Sequence, residues 1–129
     1  MTDRAGRTEL HYAALEGNVH LITELLELGA DVNATDAAGW TPLHFAAQDY
    51  RVDAVAKLIA AGAEIDAENR FGATPLSVAV FNSTGRGEVI QLLLDAGADP
   101  DRSNTAGVSP RIGAARIANY DVAQYFEGR

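Results

Sequence analysis

The stretch Gly39-Trp40-Thr41-Pro42-Leu43-His44-Phe45-Ala46-Ala47 recurs along this chain. Gly6-Arg7-Thr8-Glu9-Leu10-His11-Tyr12-Ala13-Ala14 stands 33 residues earlier, and Gly72-Ala73-Thr74-Pro75-Leu76-Ser77-Val78-Ala79-Val80 stands 33 residues later. A weaker copy, Gly107-Val108-Ser109-Pro110-Arg111-Ile112-Gly113-Ala114-Ala115, comes after another 35. Self-similarity at a period of this length marks a stacked array, whose units bury their apolar faces only against neighbours.

The period divides the chain into units 3–35, 36–68, 69–103 and 104–129 of a single domain over 1–129. Each unit opens with Asp or Asn, two variable residues and Gly: Asp3-Arg4-Ala5-Gly6, Asp36-Ala37-Ala38-Gly39, Asn69-Arg70-Phe71-Gly72 and Asn104-Thr105-Ala106-Gly107. This is turn chemistry, because the short side chain bonds nearby backbone and Gly accepts positive φ. Thr8, Thr41, Thr74 and Ser109 then read as N-caps of a first helix, with Pro42 and Pro75 at its first position. Ala13-Ala14, Ala46-Ala47, Ala79 and Ala114-Ala115 favour helix and let neighbouring helices approach closely. The first helix ends near Glu16-Gly17-Asn18. Second helices run over 19–28, 52–61 and 88–96, each stopped by Gly29, Gly62 or Gly97 and succeeded by an extended link.

These units resemble the ankyrin repeat. The family pattern of Gly, one residue, Thr-Pro-Leu-His and Ala-Ala stands at Gly39 to Ala47. The later signature stands at Leu25-Leu26, Gly29-Ala30-Asp31 and Asn33-Ala34. The resemblance implies an all-α fold, an ankyrin-repeat α-solenoid of helix-turn-helix units with β-turn fingers. Departures are Glu9 for Pro, Ser77 for His, Arg111 for a buried Leu, and two extra residues within Asn82-Ser83-Thr84-Gly85-Arg86-Gly87. That insertion reads as an elongated surface turn, of a kind that often lies on the working face of repeat proteins. The last unit reads as a C-terminal cap with one polar face.

Bulk properties remove several function classes. A net charge of -8 argues against broad nucleic-acid or anionic-membrane binding. The absence of cysteine removes disulfides, thiolate metal sites and a cysteine nucleophile, and suits a reducing, cytoplasmic setting. No run approaches the roughly 18 apolar residues of a membrane span. The opening from Met1 carries no apolar run of a signal peptide, and the two ends read as those of a whole protein.

No residues announce chemistry. His11 and His44 share one register, where the resemblance implies hydrogen bonds tying one repeat's turn to the next. His20 reads as exposed, without a second metal ligand nearby. Asp31, Glu64 and Asp99 recur as scaffold carboxylates. No catalytic, cofactor-binding or metal-binding residue is expected, and no cofactor.

The non-consensus residues carry the functional reading. In the family's architecture, residues flanking the turn Gly sit on fingers and those ending the first helix line a concave groove. Arg4, Arg7, Trp40, Arg70 and Phe71 fall in the first set, and Gln48, Tyr50, Phe81 and Arg116 in the second. Arg and large aromatics dominate protein interface hot spots. The bland account is that Trp40 and Phe71 pack on neighbouring fingers while the arginines pair with Asp3 or Asp36. The functional account is a partner protein with an acidic or mixed patch and an apolar anchor. The expected role is therefore a non-enzymatic protein-binding module. The alternatives are an immunity or inhibitor protein of a toxin or effector, a small-molecule binder, or an end-to-end self-assembling stack through Leu10 and Tyr12. A monomer is the simplest state.

Overall fold

A computed structural model of the chain describes residues 2–117 and 120–129. Met1 lies outside the described residues. Among the described residues seven α-helices run in order: α1 Glu9–Glu16, α2 Val19–Glu27, α3 Pro42–Gln48, α4 Val52–Ala60, α5 Pro75–Asn82, α6 Glu88–Asp95 and α7 Pro110–Arg116. Among the described residues there is no strand, and a 3-10 turn over Ala123–Phe126 comes after α7. The first helices α1, α3, α5 and α7 pack side by side in one layer, and α2, α4 and α6 form a second layer behind them.

The predicted caps form. Thr8, Thr41, Thr74 and Ser109 each accept the amide of the residue three positions on, and Gly17 closes α1 in the left-handed conformation. The first layer is close-set because Ala13, Ala14, Ala46, Ala47 and Ala79 are fully buried between helices. The second layer supplies bulk. Ile22, Val55 and Ile90 occupy one buried register, and Leu58 and Leu93 another. Leu25, at the same position in α2, is only half-buried because no helix precedes it in the stack.

Each Asp/Asn-x-x-Gly opening folds as expected. The Asp36 carboxylate accepts the amides of Ala38 and Trp40, both at 2.9 Å. Gly39 then turns at φ 80°. Successive fingers are stitched by main-chain bonds: the amides of Ala37, Arg70 and Thr105 donate to the carbonyls of Ala5, Ala38 and Phe71 at 2.7, 2.9 and 3.0 Å. A Cβ on Gly39 would stand 3.1 Å from Asn69 Cα and Arg70 N, so this close approach requires Gly twice over.

The histidines are ties, as the resemblance implies. In His44 the Nδ1 accepts the Thr41 amide at 3.1 Å, which fixes the ring proton on Nε2. Nε2 donates to the Ala73 carbonyl of the next finger at 2.8 Å. His11 repeats both contacts, with the Thr8 amide at 2.9 Å and the Trp40 carbonyl at 2.8 Å. His20 pairs with Glu24 on the surface.

The last unit differs from expectation. Its second helix is reduced to the 3-10 turn, whose Phe126 and the preceding Val122 are buried against the stack. Arg111, at the register of Leu10, Leu43 and Leu76, folds across this end. It donates to the Asp101 carboxylate at 2.8 Å, the Phe126 carbonyl at 3.2 Å and the Arg129 main-chain oxygen at 2.7 Å. The contact with Arg111 holds the Asp101 carboxyl below its ordinary pKa.

Candidate protein-binding face

The first-helix layer has one side covered by α2, α4 and α6 and one side free. On the free side, helical spacing of three and four residues aligns three rows across the stack. Tyr12, Phe45, Val78 and Gly113 make the first row. Leu15, Gln48, Phe81 and Arg116 make the second, and Glu16, Asp49, Asn82 and Ile117 the third. The fingers add a base row of Arg7, Trp40, Ala73 and Val108, and tips at Arg4, Ala37, Arg70 with Phe71, and Thr105.

The expected site residues separate into engaged and free. Trp40 is half-buried, with its ring 5.4 Å from His44 and 5.1 Å from Phe45. It therefore packs on its own unit. Arg7 lies over the Phe45 ring at 5.0 Å, and its buried Nε stands 3.5 Å from an Asp36 carboxylate oxygen. The adjacent Tyr12 hydroxyl, and then Asp36, reinforce the Arg7 charge. The Tyr12 hydroxyl also donates to Asp3, whose carboxyl is held below its ordinary pKa chiefly by that bond.

Tyr50 departs from expectation outright. It is 7% exposed and does not line the surface. It occupies the left-handed position that Gly17 fills in the first unit, at φ 54°, a conformation that costs a non-Gly residue about 1 kcal/mol. Burial offsets this. Its hydroxyl accepts the Val89 amide at 3.3 Å, and the Arg86 guanidinium covers its ring at 4.0 Å. Arg86 belongs to the inserted turn, so the insertion is a clamp over Tyr50 as much as a surface loop. Its Ser83 is buried, and the Gly85 carbonyl accepts the Tyr125 hydroxyl at 3.3 Å.

The other residues remain available. Phe81 is 65% exposed and Phe71 is 55% exposed. Gln48 is half-buried in the second row. Arg4, Arg70 and Arg116 are exposed, and among the described residues none of them meets a carboxylate or a carbonyl acceptor; Arg70 meets only the Phe71 ring, at 5.0 Å. The arginines placed elsewhere are all engaged. Arg102, Arg111 and Arg129 pair with carboxylates, while Arg51 and Arg86 bond main-chain carbonyls. Ile112, also exposed, is not singled out by the sequence reading. The signal was its place at the His11–His44 register, where an apolar residue makes no tie.

Among the described residues no group of three or more His, Cys, Asp or Glu gathers as a metal site, and no helix is long and apolar enough to cross a membrane. A depression of about 240 Å³ at the α1 end is lined by Leu10, Leu25, Ala30 and Ala34 beside Glu9 and Asp31. Leu10, though buried, lines this depression, whereas Tyr12 faces the groove, so the end face expected from sequence keeps Leu10 and loses Tyr12.

No curated protein matches the chain. The family model for ankyrin repeats matches residues 10–104 in three copies. That span covers most of the 129 residues, and the caps, ties, fingers and paired helix layers stand where its pattern requires: the chain belongs to the ankyrin repeat family.

Proposed function

We propose that the protein binds a partner protein through its fingers and the free side of its first-helix layer. Ankyrin repeats are generally protein–protein interaction modules. The observation that carries the reading for this chain is the distribution of its arginines. Those away from this face are engaged by the chain's own carboxylates or main-chain carbonyls, whereas among the described residues Arg4, Arg70 and Arg116 meet neither, on a face that also exposes Phe71 and Phe81. A preassembled stack loses little ordering entropy on binding, so such residues act as anchors at low entropic cost. The binding is non-enzymatic and requires no cofactor.

The test is recovery of partners from the source cell by three tagged chains: wild type, Arg4→Glu/Arg70→Glu/Arg116→Glu, and a rear-face control, Lys57→Glu. A partner held by wild type and control but lost by the triple variant supports the face. A partner held equally by all three sinks it.

A second reading has one observation in its favour. The apolar depression at the α1 end would suit end-to-end contact between two chains. A mass in solution that stays monomeric at every concentration removes it.

A further inference from the structure

The free side of the first-helix layer is unequal along its length. Over α1 and α3 the chain fills its own groove. Trp40 and Arg7 lie on Phe45, and the space among Arg7, His11, Tyr12, Leu15 and Phe45 is too tight to admit water. Over α5 and α7 the same rows shrink. Trp40 is succeeded by Ala73 and Val108, and Phe45 by Val78 and Gly113. The floor there is continuous: a Cβ on Gly113 would stand 3.8 Å from Val108 Cγ1 and 3.9 Å from the Phe81 ring. Phe81 therefore rises, 65% exposed, beside a low apolar floor.

Charge changes at the same place. The third row carries Glu16 and Asp49 over α1 and α3, then uncharged Asn82 and Ile117 over α5 and α7. Of the three exposed arginines that meet no acceptor among the described residues, Arg70 and Arg116 belong to the later half, the first on its finger and the second on α7, while Arg4 stands on the first finger. On a chain of net charge -8, this half is locally cationic and apolar together. An exposed Phe beside unpaired arginines has a specific complement, a carboxylate-bearing segment with a bulky apolar side chain.

On the reading that this face binds protein, we infer that the half of the groove over α5 and α7 receives an acidic segment of the partner. A large apolar side chain of that segment seats against Phe81 on the low floor, and its carboxylates reach Arg70 and Arg116. The half over α1 and α3, filled by the chain's own side chains and carrying Glu16 and Asp49 in its third row, excludes that segment and sets its limit along the stack. Nucleic acid lacks an aliphatic anchor for this floor and is repelled by the rest of the molecule.

A random-peptide phage library selected on the wild-type chain tests this. The expected pool is net acidic and carries Leu, Phe or Trp. Synthetic peptides from it lose affinity about tenfold or more on Phe81→Ala and on Arg70→Glu/Arg116→Glu, and bind more weakly as salt rises. They are indifferent to Leu15→Ala and Asp49→Ala. All these positions are exposed or half-buried, and unchanged melting curves confirm that the variants are folded. A neutral or basic pool, or no pool above background, overturns the inference. So do acidic binders that respond to Leu15→Ala or Asp49→Ala instead, although the wider reading of the face then stands. Binders indifferent to every groove and finger change, yet lost on Leu28→Ser at the rear, bring down the wider reading itself. A dimer of the free chain that Phe81→Ala returns to monomer assigns the surface to a second copy and overturns the acidic-partner inference.

Discussion

The Nε2 of His44 donates to the carbonyl of Ala73 at 2.8 Å, tying α3 to the finger of the following unit. The same ring receives the Thr41 amide on its other nitrogen, so one side chain serves as cap and as tie. His44→Ala removes both contacts at a fully buried position. It is expected to cost about 3 kcal/mol, combining an orphaned buried carbonyl, a weakened cap and a cavity. Urea denaturation measures it. A loss under about 1 kcal/mol would mean that the tie is ornamental.

Burial lowers the His44 pKa from its ordinary value, against the smaller raising effect of the Ala73 carbonyl. The folded state therefore binds this proton less readily than the unfolded chain. Stability from His44 is fully present above about pH 6.5 and is lost as pH falls through the depressed folded value. The melting temperature should decline as pH is lowered from about 7 toward 5, and this slope should shrink in His44→Ala. A melting temperature flat over that range would contradict the buried neutral ring.

Two exposed-looking aromatics should behave oppositely. Trp40 supports His44 and Phe45, so Trp40→Ala is expected to cost about 2 kcal/mol. Phe81 stands in solvent, and Phe81→Ala should change stability by no more than about 0.5 kcal/mol. Thermal melts of the pair check this. Equal losses would place Phe81 in the packed structure and remove it as an anchor.

Arg111 holds the chain's last turn through Asp101 and the main-chain oxygens of Phe126 and Arg129. Arg111→Leu restores the apolar residue of the register but deletes the clasp. Hydrogen exchange should quicken for amides over 123–129 while α3 and α4 keep their protection. Unchanged exchange at that end would show that Phe126 alone secures it.

Much of this architecture was legible because repetition amplifies weak local signals. Thr41 alone is a modest cap signal, but Thr8, Thr41, Thr74 and Ser109 at one register leave little choice. The singular residues were harder. Tyr50 reads as a groove aromatic until the inserted Arg86 is placed over it, a contact between residues far apart in sequence. For Arg7 the sequence left two accounts open, a free finger cation or a pair with Asp3 or Asp36, and only the fold brings Asp36 of the next unit beside it. Periodicity reports what every unit does, and these contacts each occur once. The filled and vacant halves of the groove were illegible for the same reason: they depend on which side chains lean over which neighbours.

Ser77 stands where His11 and His44 make their ties, so the histidine ties run from the first unit to the third finger and then stop, while the main-chain stitch from Thr105 to Phe71 continues to the fourth. Val108's carbonyl takes only its own turn's Asn104 amide. The seam between α5 and α7 thus lacks the histidine rivet that the two seams before it carry. A segment lying across Phe81 and Arg116 bridges that joint, so occupancy of the groove would also be a mechanical brace.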